Sequence, residues 1–492
     1  WYDVIQNALK VFLNASVDYS EPIVIKDPNG KIRFVQIGEF VEECIDKGDG
    51  LAFDGINMIE KPKKDWEALC FNPETNRVDF SRITHVIRHE NLNQELLEIT
   101  LGSGRRVKVT PDHSVFTLNK ETCTIEPVEV ADLREGEHLV VPLSAPSFRV
   151  GTNSIDMINE FGKLPSEITD DIAVFIFDKL PIDQRKTQLR ILKALVMGGT
   201  MNTRQIARST GFETRSVSRN LKLLSEKGYV TGSIIEGNLE VYQPTLEGIQ
   251  NIQLEEILST RLVHRKGRHS YYHIWLRDLL PVANEIDESI ASNWKIGLYG
   301  VGKCRHKFNA VIPLTNELCR LLGYYISEGH SRFFKNKAGG TTYTIAMTNY
   351  DQGILEDIEE CIMKALRIEG RRSSRGKDIV INSKVVYLLF NSVLKLGADA
   401  GNKEVPSIVM TGENEKKEAF LRAYYLGDGT RRRSEIKLTS KNQRLINQLS
   451  FLLMQLNVKG IYLTRDSGVH RLWIRDTTPF VQQKARRKGY AY

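Results

Sequence analysis

The chain has 492 residues, 68 Lys and Arg against 61 Asp and Glu, and a formal charge of +7. That length allows about three domains, and 41% hydrophobic residues supply a core for each. The cysteines Cys44, Cys70, Cys123, Cys304, Cys319 and Cys361 show no CxxC pair and no zinc-ligand spacing, which excludes a disulfide framework and a structural zinc. No apolar run reaches the roughly 18 residues of a membrane span, so the expectation is a cytoplasmic monomer with no membrane partner and a mild lean toward anionic ones.

Residues 1–15, WYDVIQNALKVFLNA, read as an amphipathic helix with Ile5, Ala8, Leu9 and Phe12 on one face, cut from something longer because the chain opens on Trp1. Residues 16–145 alternate short apolar runs with turn residues and read as an all-β module. The Asp27–Lys31 stretch, DPNGK, is its clearest hairpin turn, since Asn-Gly supplies the positive φ such a turn needs. Ser16 stands directly before a strand, and VTPDHSVF sets Thr110 and His113 three apart in a turn. With the runs LLEITLGSGRRVKVTPDHSVF and PVEVADLREGEHLVVP, this module resembles the N-terminal part of an intein with the Hint fold.

That resemblance makes Ser16 the first intein residue and T-x-x-H the second block. The Ser16 hydroxyl then attacks the carbonyl of Ala15 in an N-to-O acyl shift, with His113 protonating the departing amide nitrogen. Thr110 and backbone N–H groups orient the amide and stabilise the oxyanion, without any cofactor. Asp18 stands where many inteins carry a small residue. Upstream, NALKVFLNA resembles the K-x-x-x-N motif of archaeal-type family B DNA polymerases, making Lys10 and Asn14 residues of a polymerase host and residues 1–15 a remnant of it. The ending PFVQQKARRKGYAY lacks the His-Asn of a C-terminal splice junction. Splicing would therefore need a longer parent chain or a separate C-terminal intein fragment.

Residues 146–180 read as a linker. Over 181–250, Leu189, Leu192, Leu195, Ile206, Val217, Leu221 and Leu224 recur at helical spacing, and residues 184–227 hold ten Lys and Arg against Glu213 and Glu226. MNTRQIARSTGFETRSVSRNLKLLSEKGYV resembles a winged helix-turn-helix. The resemblance places Arg215, Ser216, Ser218 and Arg219 toward DNA, with Arg204 and Arg208 on phosphate. Residues 251–295 follow as a second linker whose basic, aromatic HRKGRHSYYHIW suits a further DNA contact.

From 296 to 480 the chain repeats itself. LCRLLGYYISEG and EAFLRAYYLGDG set Cys319, Gly323 and Ser327 opposite Ala419, Ala423 and Gly427, so one face of each helix is stripped of bulk and two backbones can approach closely. Glu328 and Asp428 then meet at the two C-termini, where helix dipoles and mutual repulsion call for a cation. Mg²⁺ would relieve that conflict and support phosphodiester hydrolysis. These segments resemble the signature motifs of LAGLIDADG homing endonucleases. The resemblance makes Glu328 and Asp428 the metal ligands and Lys441 the active-site lysine, with Tyr350 at the matching position of the first half. Basic strands after each motif would enter the DNA major groove, with Arg332, Lys335, Lys337, Arg431, Arg432, Arg433 and Lys437 as contacts. Residues 481–492 form a basic tail.

The fold class expected is thus multidomain α+β, with an all-β Hint module, a winged helix-turn-helix insert and a duplicated αββαββα LAGLIDADG endonuclease. The partner is double-stranded DNA at the insertion site in the polymerase gene. Two other readings stay open at this level: a winged-helix DNA-binding regulator, and a splicing protein whose endonuclease is inactive.

Overall fold

The computed structural model describes residues 17–28, 30–45, 51–53, 57–72, 75–89, 95–146, 153–176, 186–235, 239–246, 248–249, 263–265, 271–286, 291–299, 307–335, 340–476 and 480. Ser16, Lys10, Asn14, Lys337 and the tail expected at 481–492 lie outside them. Helices and strands are mixed throughout, and no described helix is long and apolar enough to cross a membrane.

The first hairpin forms where the sequence places it. Strands Pro22–Lys26 and Ile32–Gln36 pair with Val24 opposite Phe34, and the Gly30 N–H donates to the Asp27 carbonyl at 2.8 Å with φ of +78°. Asp27 also accepts from the Lys31 N–H through its side chain. Glu67–Asn72 and Arg77–Arg82 complete a four-stranded sheet. The module is not all β, however. Ile37–Ile45 is a helix whose Phe40 and Cys44, four apart, reach the small core of Ile25, Val35, Trp66 and Val86. At the end of PVEVADLREGEHLVVP, the apolar run HLVVP forms only a bridge, between Leu139 and Thr117.

The two stretches read as linkers carry structure. Ser154–Asp156 is a strand, Asp156 caps the helix Met157–Gly162, and Ile172–Ile176 is a strand buried at every position. That last strand lies in the middle of a five-stranded sheet, flanked by Tyr271–Trp275 and Lys295–Leu298, with Val263–Arg265 and Lys307–Asn309 outermost. Met157, Phe161, Ile172 and Val174 belong to one large core with the paired helices described below. The apolar run IAVFI is continuous rather than alternating because neither face meets water.

Helices Lys186–Gly198, Thr203–Thr210 and Thr214–Glu226 precede a hairpin of Val230–Ile235 and Leu239–Pro244. Asn202 and Gln205 cap the middle helix reciprocally, and Gly211 ends it at φ of +74°. This unit has a core of its own, built on Ile191, Leu195, Ile206, Val217, Leu221 and Tyr242.

Beyond it, helices Asn316–Glu328 and Asn414–Asp428 pack against each other. Each leads directly into a four-stranded antiparallel sheet. The first sheet runs Gly329–Lys335, Thr341–Thr348, Asp378–Asn382, Arg371–Arg372, and the second Thr430–Arg432, Glu435–Ser440, Val469–Ile474, Ile461–Asp466. Gln352–Leu366 and Gln443–Gln455 are the corresponding helices of the two halves. The N-terminal module docks on the second half: Phe34 meets Phe451 edge-on at 5.0 Å, Ser407 donates to the Ile32 carbonyl at 2.6 Å, and the Leu463 N–H donates to the Ser103 carbonyl at 2.7 Å.

Candidate active site

The close helix approach follows from the small residues. A β-carbon on Gly323 would lie 2.9 Å from Ala423 Cβ and against the Phe420 carbonyl, and one on Gly427 would fall on the Ser327 side chain. Glu328 and Asp428 are the last residues of their helices, and the N–H groups of Gly329 and Gly429 close the final turns onto the Tyr325 and Tyr425 carbonyls.

The two carboxylates sit in a strained electrostatic balance. Burial, and then the Asp428 charge, push the Glu328 pKa up, while Lys403 and the Asn349 amide pull it down. Asn349 donates to Glu328 Oε1 at 2.8 Å. Asp428 is the more open of the two, and loss of hydration raises its pKa against the opposing pull of Lys403. Lys403 is 4% exposed. Its Nζ lies 3.4 Å from the Ser327 carbonyl, and burial brings its pKa down to about 8 although Asp428, Glu328 and Asp399 all favour the charged form.

Lys403 is thus the lysine whose charge acts on both carboxylates. Lys441 is exposed and is not among the charges acting on either carboxylate. Its counterpart Tyr350 is 80% exposed, with Lys377 Nζ 4.3 Å from its ring centre. Sequence reasoning missed Lys403 because it lies in an irregular segment, GNKEVP, with no periodicity to mark it.

Side-chain alternation sorts the expected DNA contacts. In the first sheet Ser331, Ile345, Met347, Ile379 and Ile381 are buried, so His330, Arg332 and Phe334 take the opposite face, Arg332 opposite Thr344 and Thr344 opposite Asn382. Lys335 has the other parity and leaves that face, a correction to its grouping with Arg332. In the second sheet Ile436, Leu438, Leu472 and Ile474 are buried, and Lys437, Thr439, Arg471 and Trp473 turn outward. Arg432 shares their parity through Glu435, whereas Arg431 pairs with Ile436 and Arg433 is a turn residue at φ of +53°. Lys437 Nζ stands 5.7 Å from the Trp473 ring, Trp473 stacks on Tyr462 at 5.8 Å, and Arg475 closes the row at 5.1 Å.

At the N-terminal module Val17 bridges Val109, and the Asp18 N–H donates to the Lys108 carbonyl at 2.9 Å. Thr110, the next residue, is buried, and the His113 N–H closes a turn on its carbonyl at 3.1 Å. The Val130 N–H holds the far side of that turn through the His113 carbonyl. Burial lowers the His113 pKa, with Asp112 opposing, and Nδ1 is enclosed without a hydrogen-bond partner among the described residues. On the helical insert Arg204, Arg208, Arg215, Ser218 and Arg219 are exposed and Ser216 half-buried, while Val217 and Leu221 face the core.

A family model described as the intein splicing domain matches residues 24–449. The DNA polymerase of Thermococcus sp. (strain GE8) is 29% identical over 99% of this chain and 27% of its own length. The DNA polymerase of Methanocaldococcus jannaschii is 24% identical over 93% of this chain and 26% of its own. The chain thus spans about a quarter of the length of these curated relatives. Among solved structures, the transcription factor IIB Mvu mini-intein is 37% identical, covering 27% of this chain and 71% of that one, with a TM-score of 0.25.

Proposed function

Because this chain belongs to the intein splicing-domain family, we propose that it begins protein splicing at Ser16 and cuts double-stranded DNA with the Glu328–Asp428 pair, within a DNA polymerase host. The observation that carries the nuclease reading is the convergence of two carboxylates and one buried lysine at the ends of paired helices that lead into two sheets. Two oxygen-only ligands, both costly to ionise through burial and one of them also through the charge of the other, suit a hard divalent cation. Among the described residues no group of three His, Cys, Asp or Glu could hold a metal. Phosphate oxygens and water would therefore complete the shell, and Mg²⁺ bound there supplies charge stabilisation to a phosphodiester under attack.

The chain's own residues do the remainder. Asn349 orients Glu328, Lys403 sets a positive charge beside both acids, and Arg332, Arg432 and Lys437 lie on the faces that enter the major groove. The helical insert acts as a winged helix-turn-helix that lengthens the footprint, with Arg215, Ser216, Ser218 and Arg219 in the groove and Arg204 and Arg208 on phosphate. Residues 16–145 form the splicing module, 181–250 the insert and 296–480 the endonuclease. In the splicing module His113, held neutral by burial, accepts the Ser16 proton and passes it to the amide nitrogen as the acyl group moves to oxygen, with Thr110 orienting the amide.

Linear DNA carrying the uninterrupted polymerase insertion site tests the nuclease reading. Wild-type protein with Mg²⁺ gives a double-strand break and Glu328→Gln gives none; intact DNA that still shifts in a gel reduces the chain to a DNA-binding protein. For splicing, hydroxylamine releases the first 15 residues, and release that survives Ser16→Ala sinks that step.

A further inference from the structure

Asn349 is tied at three points. Its backbone N–H donates to the Lys377 carbonyl at 2.9 Å, its Oδ1 accepts from the Asp351 N–H at 2.8 Å, and its Nδ2 donates to Glu328 Oε1 at 2.8 Å. The Asp351 contact fixes which end of the amide is oxygen, so the flipped orientation, which would set the amide nitrogen against an N–H, is excluded. Asn349 is 9% exposed, and its donor cannot be exchanged for water without breaking this arrangement.

The second half repeats the frame but not the donor. Thr348-Asn349-Tyr350-Asp351 corresponds to Thr439-Ser440-Lys441-Asn442, and Asp351 and Asn442 both cap the helix that follows. Ser440 Oγ accepts from the Asn442 N–H at 3.0 Å, as Asn349 Oδ1 does from Asp351. The Ser440 hydroxyl keeps an O–H to donate but does not reach Asp428, and among the described residues no hydrogen bond holds the Asp428 carboxylate.

From this asymmetry, and resting on the nuclease reading above, we infer that Asn349 is a positioning residue that pre-sets Glu328 for its cation and makes the two half-sites unequal, so that the strand served by the Glu328 half is cut first. A ligand already oriented gives up less freedom on binding a cation than one that is not, and loss of such an outer partner costs about tenfold in metal affinity.

The test uses the full chain, MnCl₂ as the metal probe and a target duplex labelled separately on each strand. Electron paramagnetic resonance of free Mn²⁺ gives affinity without cleavage, and quenched time courses give the two nicking rates. Asn349→Ser should weaken Mn²⁺ binding about tenfold and bring the two strand rates together by slowing the faster one. Ser440→Asn should bring them together by speeding the slower one, which a folding defect cannot mimic. Unchanged Mn²⁺ affinity and an unchanged strand ratio in Asn349→Ser overturn the inference. Wild-type protein that cuts neither strand overturns the nuclease reading instead, and the Mn²⁺ comparison still decides the role of Asn349.

Discussion

A β-carbon built on Gly323 lies 2.9 Å from the β-carbon of Ala423. The helix pair is therefore packed at backbone distance, and the separation of Glu328 from Asp428 is set by residues one and two turns below them. Gly323→Val should destabilise the chain by about 1–3 kcal/mol through overpacking, read by chemical denaturation. Cleavage should fall further than the lost folded fraction accounts for, because the acids are spread apart. A fall in activity that merely tracks stability would refute the geometric part of this expectation.

Lys403 and Lys441 make opposite predictions. Lys403→Met should lower the cleavage rate by about a hundredfold, since it removes a preorganised, buried charge from beside both acids, with DNA binding in Ca²⁺ retained. Lys441→Met, on an exposed side chain, should leave cleavage within about twofold. Parallel single-turnover assays on the two variants decide between the lysines, and the reverse ranking would restore Lys441.

Much of this site was legible because it is periodic. Small residues at Cys319, Gly323 and Ser327 and at Ala419, Ala423 and Gly427 recur every four positions, and helix geometry converts that spacing into a shared face. Lys403 has no such signature; only the tertiary approach to Ser327 places it. The strand Ile172–Ile176 escaped for a similar reason, since its partners Tyr271–Trp275 and Lys295–Leu298 lie about a hundred residues downstream. Arg332 and Lys335 could have been separated by parity. Adjacent Phe333 and Phe334 interrupt the alternation there, so sequence did not show which parity faces the core.

The helical insert should contribute affinity without chemistry. Arg204→Ala combined with Arg208→Ala should weaken target binding and flatten its salt dependence by about one unit of logarithmic slope for each phosphate no longer neutralised. The cleavage rate of DNA already bound should not change. Because the insert has its own core, circular dichroism melting of the double variant should match wild type. An unaltered salt slope would remove these arginines from the interface.

Lys417 offers a prediction that involves neither DNA nor metal. It lies in the Asn414–Asp428 helix, is fully buried, and its Nζ has no hydrogen-bond partner among the described residues. Burial brings its pKa down from 10.5 to about 8. Between those values the unfolded chain holds a proton that the folded chain has released, so stability rises with pH across that window. Below about pH 8 both states are protonated and the folded state carries the full cost of a buried ammonium. Lys417→Met keeps the chain length and deletes the charge. It should stabilise the protein at pH 7 by an amount on the order of 1 to 3 kcal/mol and abolish this contribution to the rise. Denaturant titrations of both proteins at pH 7, 8, 9 and 10 in the presence of a chelator measure the difference directly. A difference that stays constant from pH 8 to pH 10 would mean that the Lys417 ammonium is solvated or paired in the folded state.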